Sequence, residues 1–247
     1  MKGIPSDYYA RMHAVEERHW WHRGMREIEL ALLRPRLRPE ARLVDVGCGT
    51  GGFLRFLLDR GAIGSAAGID VSPEAIELAR GRVPEAELAV ASVTDLPFGD
   101  ETFDAAVLND VLQHVPEEDV ERSLGELRRV LRPGAPLAVR TGGARRARRE
   151  RADWRAYDRA SLREELERSG FRVERVTYAN VVGSLAAAAA GRTPRAPTEE
   201  RCGIPPGQST LARAAGAVLL GTEARLLAWT PATLPYGHTL LALARRP

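Results

Sequence analysis

The feature that most constrains this chain is a short apolar run, Leu43-Val44-Asp45-Val46, passing directly into three alternating glycines, Gly47, Gly49 and Gly51. The run has the length and apolar character of a buried strand, and a helical pattern follows it at residues 53–60. Glycine permits positive φ and leaves bare backbone, so the turn can be sharp and a ligand can approach it closely. Strand, tight turn and helix open a doubly wound sheet, where ligands collect beyond the carboxyl ends of the strands. The helix start offers unpaired amides to a negative group such as an amino-acid carboxylate. The spacing is Gly-x-Gly-x-Gly, which is not the full nicotinamide fingerprint.

The alternation continues along the chain. Strands are predicted at 66–69, 88–91, 103–108, 136–140, 172–178 and 239–244, with helices at 73–80, 117–131 and 161–169. Ahead of them, residues 8–34 read as a helical leader interrupted near Gly24, with Met12, Val15, Ile28, Leu32 and Leu33 on an inner face and Pro35 and Pro39 ending it. The predicted organisation is a leader at 1–41 and one domain at 42–247, and a chain of 247 residues needs only one core. An insertion at 183–236, before the last strand, is longer than an ordinary connection. It contains helical patterns at 185–190 and 211–229 around a proline-rich loop at 193–207, and is expected to cap an acceptor pocket, with homodimerisation as its rival role.

Composition narrows the function classes. The 36 basic residues exceed the 33 acidic ones by little, so no polyanionic partner is required. Cys48 and Cys202 are too few for a disulfide framework or a cysteine zinc site, and no metal is expected. The start lacks the apolar stretch of a secretion signal, and no apolar run reaches the roughly 20 residues of a bilayer span. The expectation is a cytoplasmic protein without a membrane partner. The run Arg145-Arg146, Arg148-Arg149, Arg151 is the one feature favouring nucleic acid; Glu150 and Asp153 interrupt it, and no nucleic-acid module accompanies it.

The chemistry-bearing residues fall at the same sheet edge. Asp70 closes the second strand beside the glycine crevice, where its carboxylate can accept from both hydroxyls of a ribose. After the third strand comes Ser92-Val93-Thr94-Asp95-Leu96-Pro97-Phe98, and after the fourth Asn109-Asp110-Val111-Leu112-Gln113-His114.

This series, from about Arg42 to Ala138, resembles the class I S-adenosylmethionine-dependent methyltransferases in their small-molecule subgroup. The resemblance implies a Rossmann-like, mostly parallel seven-stranded sheet with S-adenosyl-L-methionine as cofactor. It implies that Asp45, Gly47, Gly49 and Gly51 surround the methionine end, that Asp70 and Val71 hold the ribose, and that Ser92, Val93, Asp95 and Leu96 line the adenine, with Asn109 nearby; Cys48, between two of these glycines in the cofactor turn, is expected to pack as a small side chain and not to act as a nucleophile. Ser92 stands where the family often has an acid; Asp95 either replaces it or caps the loop. The leader motif Glu17-Arg18-His19-Trp20-Trp21-His22-Arg23-Gly24 resembles one branch of these enzymes, in which a helix folds over the crevice, and Arg23 is the candidate partner of the methionine carboxylate or else a surface arginine. His19 and His22 read as capping or packing residues. Arg155 and Tyr157 keep places that resemble a substrate loop of the branch, without its histidine.

Methyl transfer requires a nucleophile aligned with an electrophilic methyl group, and positioning and electrostatics supply much of the acceleration. For a hydroxyl acceptor, His114 is the candidate proton acceptor, although in the resembling family this histidine is often structural. Asp110 is the candidate to orient substrate, or else caps backbone amides. Transfer to oxygen or nitrogen of a small metabolite, such as a natural-product intermediate, is the expected activity. A nicotinamide oxidoreductase, a noncatalytic binding protein on the same fold and a nucleic-acid methyltransferase are its rivals.

Overall fold

The computed structural model describes residues 7–142, 155–181, 184, 210–231 and 233–247. The arginine run at 145–151, the helical pattern at 185–190 and the proline-rich loop with Cys202 lie outside the described residues. The leader forms α1 (Tyr8–Val15) and α2 (Trp20–Leu33). Then follow β1 (Arg42–Val46), α3 (Gly52–Asp59), β2 (Ser65–Asp70), α4 (Pro73–Arg82), β3 (Glu87–Val90) and β4 (Ala105–Asn109). The remainder is α5 (Glu117–Val130), β5 (Pro136–Gly142), α6 (Arg159–Arg168), β6 (Arg172–Ala179), α7 (Thr210–Trp229) and β7 (Thr239–Arg245).

Among the described residues the strands form one seven-stranded sheet in the order β3-β2-β1-β4-β5-β7-β6. Pairing is parallel from β3 to β5, and β7 runs antiparallel between β5 and β6. The fold is therefore the mostly parallel, doubly wound sheet expected. Leu43, Val44 and Val46 of β1 are fully buried, as a central strand covered on both faces requires. The order turns back at β1, whose neighbours are β2 and β4, so the ligand crevice of such a sheet opens at the carboxyl ends of these strands.

Local chemistry explains the boundaries. Ser72 caps α4 by accepting from the Ala75 amide at 3.3 Å, with Pro73 at the first helical position. Asp158 and Ser161 form a capping box at α6. In α5 the acids Glu117, Glu118 and Asp119 occupy the first turn and Arg128 and Arg129 the last, complementing the helix dipole.

One expectation changes. The leader breaks between Val15 and Trp20, not near Gly24, which lies inside α2. Gly24 is there for packing: a Cβ would meet Leu220 Cδ1 at 2.4 Å and Cβ at 2.6 Å, because α7 lies against α2 at this point. The described part of the insertion packs on the leader, while residues 183, 185–209 and 232 of it lie outside the described residues. Leu220, Ala224 and Leu227 pack with Met25, Ile28, Leu32, Ala179 and Leu241, while Glu223 accepts from the Asn180 and Val181 amides at 2.6 and 3.1 Å. Trp229 is 88% exposed and contributes no wall to a pocket.

Gly24→Ala offers a direct comparison of two effects. Alanine gains about 1 kcal/mol of helix propensity over glycine, but overpacking a filled contact costs about 1–3 kcal/mol. Packing should win, leaving the variant roughly 1 kcal/mol less stable by urea unfolding. A variant more stable than the parent would mean that α7 does not seat on α2 this closely.

Candidate functional site

A cavity of about 280 Å³ lies at the carboxyl edge of the sheet, under the leader. Asp45, Gly47, Cys48, Gly49, Asp70, Val71, Val93, Asn109, Asp110 and His114 line it, so ten of the positions singled out in the sequence meet there. The leader contributes Tyr8, Tyr9, Met12, Glu16, Trp21, His22 and Arg26, and β5 contributes Arg140.

The glycine turn is built by backbone bonds: the Gly47 and Cys48 amides both donate to the Ile69 carbonyl at 2.8 Å. Gly47, at φ +82°, needs glycine twice over, because a Cβ would also meet Val111 Cγ2 at 2.1 Å. Cys48 is buried beside Gly68, and burial pushes its thiol up, consistent with a packing role. Asp70 accepts from the Gly49 amide at 3.0 Å on one oxygen, and from the Ser72 amide at 2.9 Å and the Tyr9 hydroxyl at 3.4 Å on the other. Burial raises its pKa and these bonds oppose the shift. The carboxylate thus ties the leader, the glycine turn and the start of α4 together at the cavity wall.

Several expected contacts lie elsewhere. Arg23 is exposed and does not line the cavity, because helical rotation turns Arg26 inward instead. Arg26 Nη2 donates to the buried Glu16 carboxylate at 2.6 Å, and Glu16 also pairs with Thr50 Oγ1 and Arg82 Nη1. Arg82 further donates to the Thr50 carbonyl at 3.0 Å and the His13 carbonyl at 2.8 Å. This cluster clamps the leader's bend onto the start of α3. Gly51 points away from the cavity, toward Ala79 of α4 and Val83 just beyond its end. In the adenine loop, Ser92 Oγ receives the Thr94 amide at 3.2 Å and pairs with Thr94 Oγ1 at 2.7 Å, so its side chain is engaged in its own turn. Asp95 is exposed, and Leu96 is buried in the core with its amide donating to Glu126 at 2.8 Å. Of that loop only Val93, beside Ala91, faces the cavity.

Beyond β4 the site is set by charge. Asp110, at φ +57°, receives Arg140 Nε at 3.0 Å and Nη2 at 2.9 Å, so it is a guanidinium partner rather than a free proton acceptor. Arg140 Nη1 donates to the buried Glu29 at 2.7 Å. Burial would lower the guanidinium's pKa, but Asp110 and Glu29 more than offset it and hold Arg140 charged. Glu29 is pushed up to about 7 by burial against the pull of Arg140, and Asp45 to about 8 by burial and the nearby Glu29. Gln113 Oε1 receives Thr141 Oγ1 at 2.7 Å and the Gly142 amide at 2.8 Å, pinning this loop to β5, and Gln113 Nε2 lies 3.4 Å from His114 Nε2. Arg155 meets Glu117 and Glu165, and neither it nor Tyr157 lines the cavity.

Sequence reasoning passed over Glu16, Arg26, Arg82, Glu29 and Arg140. One signal was present: Glu29 interrupts the apolar face of Met25, Ile28, Leu32 and Leu33, and a carboxylate in such a stripe demands a partner.

Comparison with known proteins agrees with this geometry. Residues 44–139 match a family model described as a methyltransferase domain. A 2-phytyl-1,4-naphtoquinone methyltransferase of Trichormus variabilis is 36% identical over 129 residues, covering 49% of this chain and 56% of that protein. A malonyl-[acyl-carrier protein] O-methyltransferase of Methylococcus capsulatus is 32% identical over 162 residues, covering 60% and 58%. The chain thus spans little more than half the length of these relatives. A solved complex between the Haloferax volcanii Trm112 methyltransferase activator and a methyltransferase superposes with TM-score 0.63 at 21% identity, over 99% of this chain and 100% of that one, which shows the shared fold. Residues 44–139 thus carry a methyltransferase domain, on the sheet order of the class I methyltransferase fold. The cofactor of that class is S-adenosylmethionine.

Proposed function

We propose that the chain transfers the methyl group of S-adenosylmethionine to an oxygen or nitrogen of a small acceptor, in the cavity between the leader and the carboxyl edge of the sheet. The observation that carries this reading is Asp70, held by the Gly49 amide at the end of β2 and facing the cavity beside the glycine turn. The residues fit the cofactor's chemistry. Asp45 Oδ1 and Asn109 Oδ1 are buried acceptors without a protein partner, suited to an ammonium group. Arg26 and the amides at the start of α3 suit the carboxylate, Asp70 the ribose, and Val71, Ala91 and Val93 the adenine. When bound, the cofactor supplies a methyl group on a positively charged sulfur. The chain supplies orientation, exclusion of water and carboxylates that favour a cation. No helix among the described residues is long and apolar enough to cross a membrane, and a metabolite acceptor such as a natural-product intermediate, in a cytoplasmic protein, remains the favoured setting. The surface proposed for homodimerisation is the exposed face of α7 with Val218, Leu226 and Trp229.

Asp45 makes the reading testable by pH. Its pKa of about 8 means that binding a cationic cofactor must release a proton below that value. Affinity should therefore rise between pH ~6 and pH ~8, by at most about tenfold per pH unit, and level off as the ligand's own amine deprotonates. The sign for folding is opposite. A carboxyl raised in the folded state adds stability fully present below its unfolded value of about 4 and lost as pH rises through about 8. Asp45→Asn should flatten both trends in part, since Glu29 near 7 remains. Calorimetric titrations in two buffers of different ionisation heat measure the proton release; none in the parent protein would remove Asp45 from the cofactor's surroundings.

A further inference from the structure

At the β4–β5 end of the cavity, the groups able to receive an anion are already engaged. Arg140 gives three nitrogens to Glu29 and Asp110, and Arg26, held by Glu16 beside Gly52 on the glycine-turn side, is the partner proposed above for the cofactor's carboxylate. An acceptor carrying a carboxylate or diphosphate would meet Asp110 and Asp45 there without an available cation among the described residues of the lining. The relevant polar atom left over is His22 Nε2, buried and without a protein partner. His22 lines the cavity and stands edge-on to Trp21, ring centres 5.1 Å apart, and Trp21 lies under the Arg140 guanidinium at 5.8 Å. The three side chains form one wall, with a flat apolar ring beside a lone polar nitrogen.

We propose that this wall binds a neutral aromatic or enolic hydroxyl acceptor, whose O–H donates to His22 Nε2; the inference rests on the cavity being the S-adenosylmethionine site. In the transfer, an oxygen lone pair forms the C–O bond, the C–S bond breaks with its electron pair staying on sulfur, and the hydroxyl proton passes to Nε2. The positive charge leaves the sulfur as it appears on the imidazole, so the net charge of the site is unchanged across the step. Burial lowers the His22 pKa to about 4, with Arg26, His19 and Arg140 acting in the same direction and Glu16 against them. The ring is therefore neutral and able to accept at physiological pH. A weak base is sufficient, because a hydroxyl oxygen being methylated becomes strongly acidic.

The test uses the full chain saturated with S-adenosylhomocysteine and three probes of one shape: 1-naphthol, 1-naphthoate and 1-methylnaphthalene. Calorimetry should show naphthol binding at least about tenfold more tightly than either analogue, the value of one buried hydrogen bond. His22→Phe should remove the preference over methylnaphthalene, and His22→Gln, which can still accept, should restore part of it. Nitrogen NMR of the parent protein should show a His22 Nε2 shift with naphthol and none with methylnaphthalene, a readout that needs no variant. Naphthoate binding tighter than naphthol, no naphthol binding, or a preference that survives in His22→Phe would overturn the proposal. Failure of S-adenosylhomocysteine to bind the parent protein would instead remove the cofactor reading beneath it.

Discussion

Replacing Arg140 with methionine should destabilise the protein by about 3–5 kcal/mol, the usual cost of removing one partner from a buried ion pair. Arg140 is 13% exposed at its side chain and Glu29 only 1%, so Glu29 loses its single strong counter-charge and cannot recover it from water. Asp110, at 37%, can rehydrate and should contribute less. Because Glu29 has a pKa of about 7 even beside Arg140, the deficit should be smaller near pH 6, where its carboxyl is largely neutral, than near pH 8. Urea unfolding at the two pH values measures both the size and the trend. Adding Glu29→Leu should return much of the loss, since an apolar pair of similar volume can replace a buried ion pair at little net cost. A single variant as stable as the parent would mean that Arg140 is solvated and that the wall it forms with Trp21 is not built as described.

Asp70→Ala should weaken binding of S-adenosylmethionine and S-adenosylhomocysteine by about 1.5–3 kcal/mol, or roughly 10- to 150-fold. The loss has two sources. A ribose hydroxyl loses a charged acceptor, and the Gly49 amide, held at 3.0 Å, loses the bond that presents the turn to the ligand. Asp70→Asn separates them, because its amide oxygen can keep Gly49 in place while the charge is gone; its loss should be the smaller. The Tyr9 hydroxyl at 3.4 Å is a weaker link, so the leader should stay docked through the Glu16 clamp in either variant. Unchanged affinity in a folded Asp70→Ala protein would remove this carboxylate from the site.

The parts of the fold that were legible are those whose cause is local. β1 announces itself because a strand buried on both faces must be apolar and must end in a residue that can turn, and Val46-Gly47 satisfies both. Asp70 was legible for the same reason, as an acid closing the next parallel strand. The position of β7 between β5 and β6 was not, because Leu241 opposite Arg140 pairs residues a hundred positions apart and depends on the whole sheet. Gly24 misled because a glycine within a helical pattern reads as a break, whereas its cause is the side chain of Leu220 on a distant helix. Arg23 and Arg26 could not be told apart without knowing which face of α2 the bend after Val15 would present. The Glu16 clamp was hidden because its partners come from three separate elements, α2, the glycine turn and α4.

The most direct measurement of the central reading is a calorimetric titration of the full chain with S-adenosylhomocysteine, repeated on Gly47→Val and with NADH in place of the nucleoside. The account predicts one site per chain for S-adenosylhomocysteine, lost in Gly47→Val because a side chain at φ +82° would collide with Val111 at the turn, and no comparable heat with NADH. Tight NADH binding with no response to S-adenosylhomocysteine would contradict it.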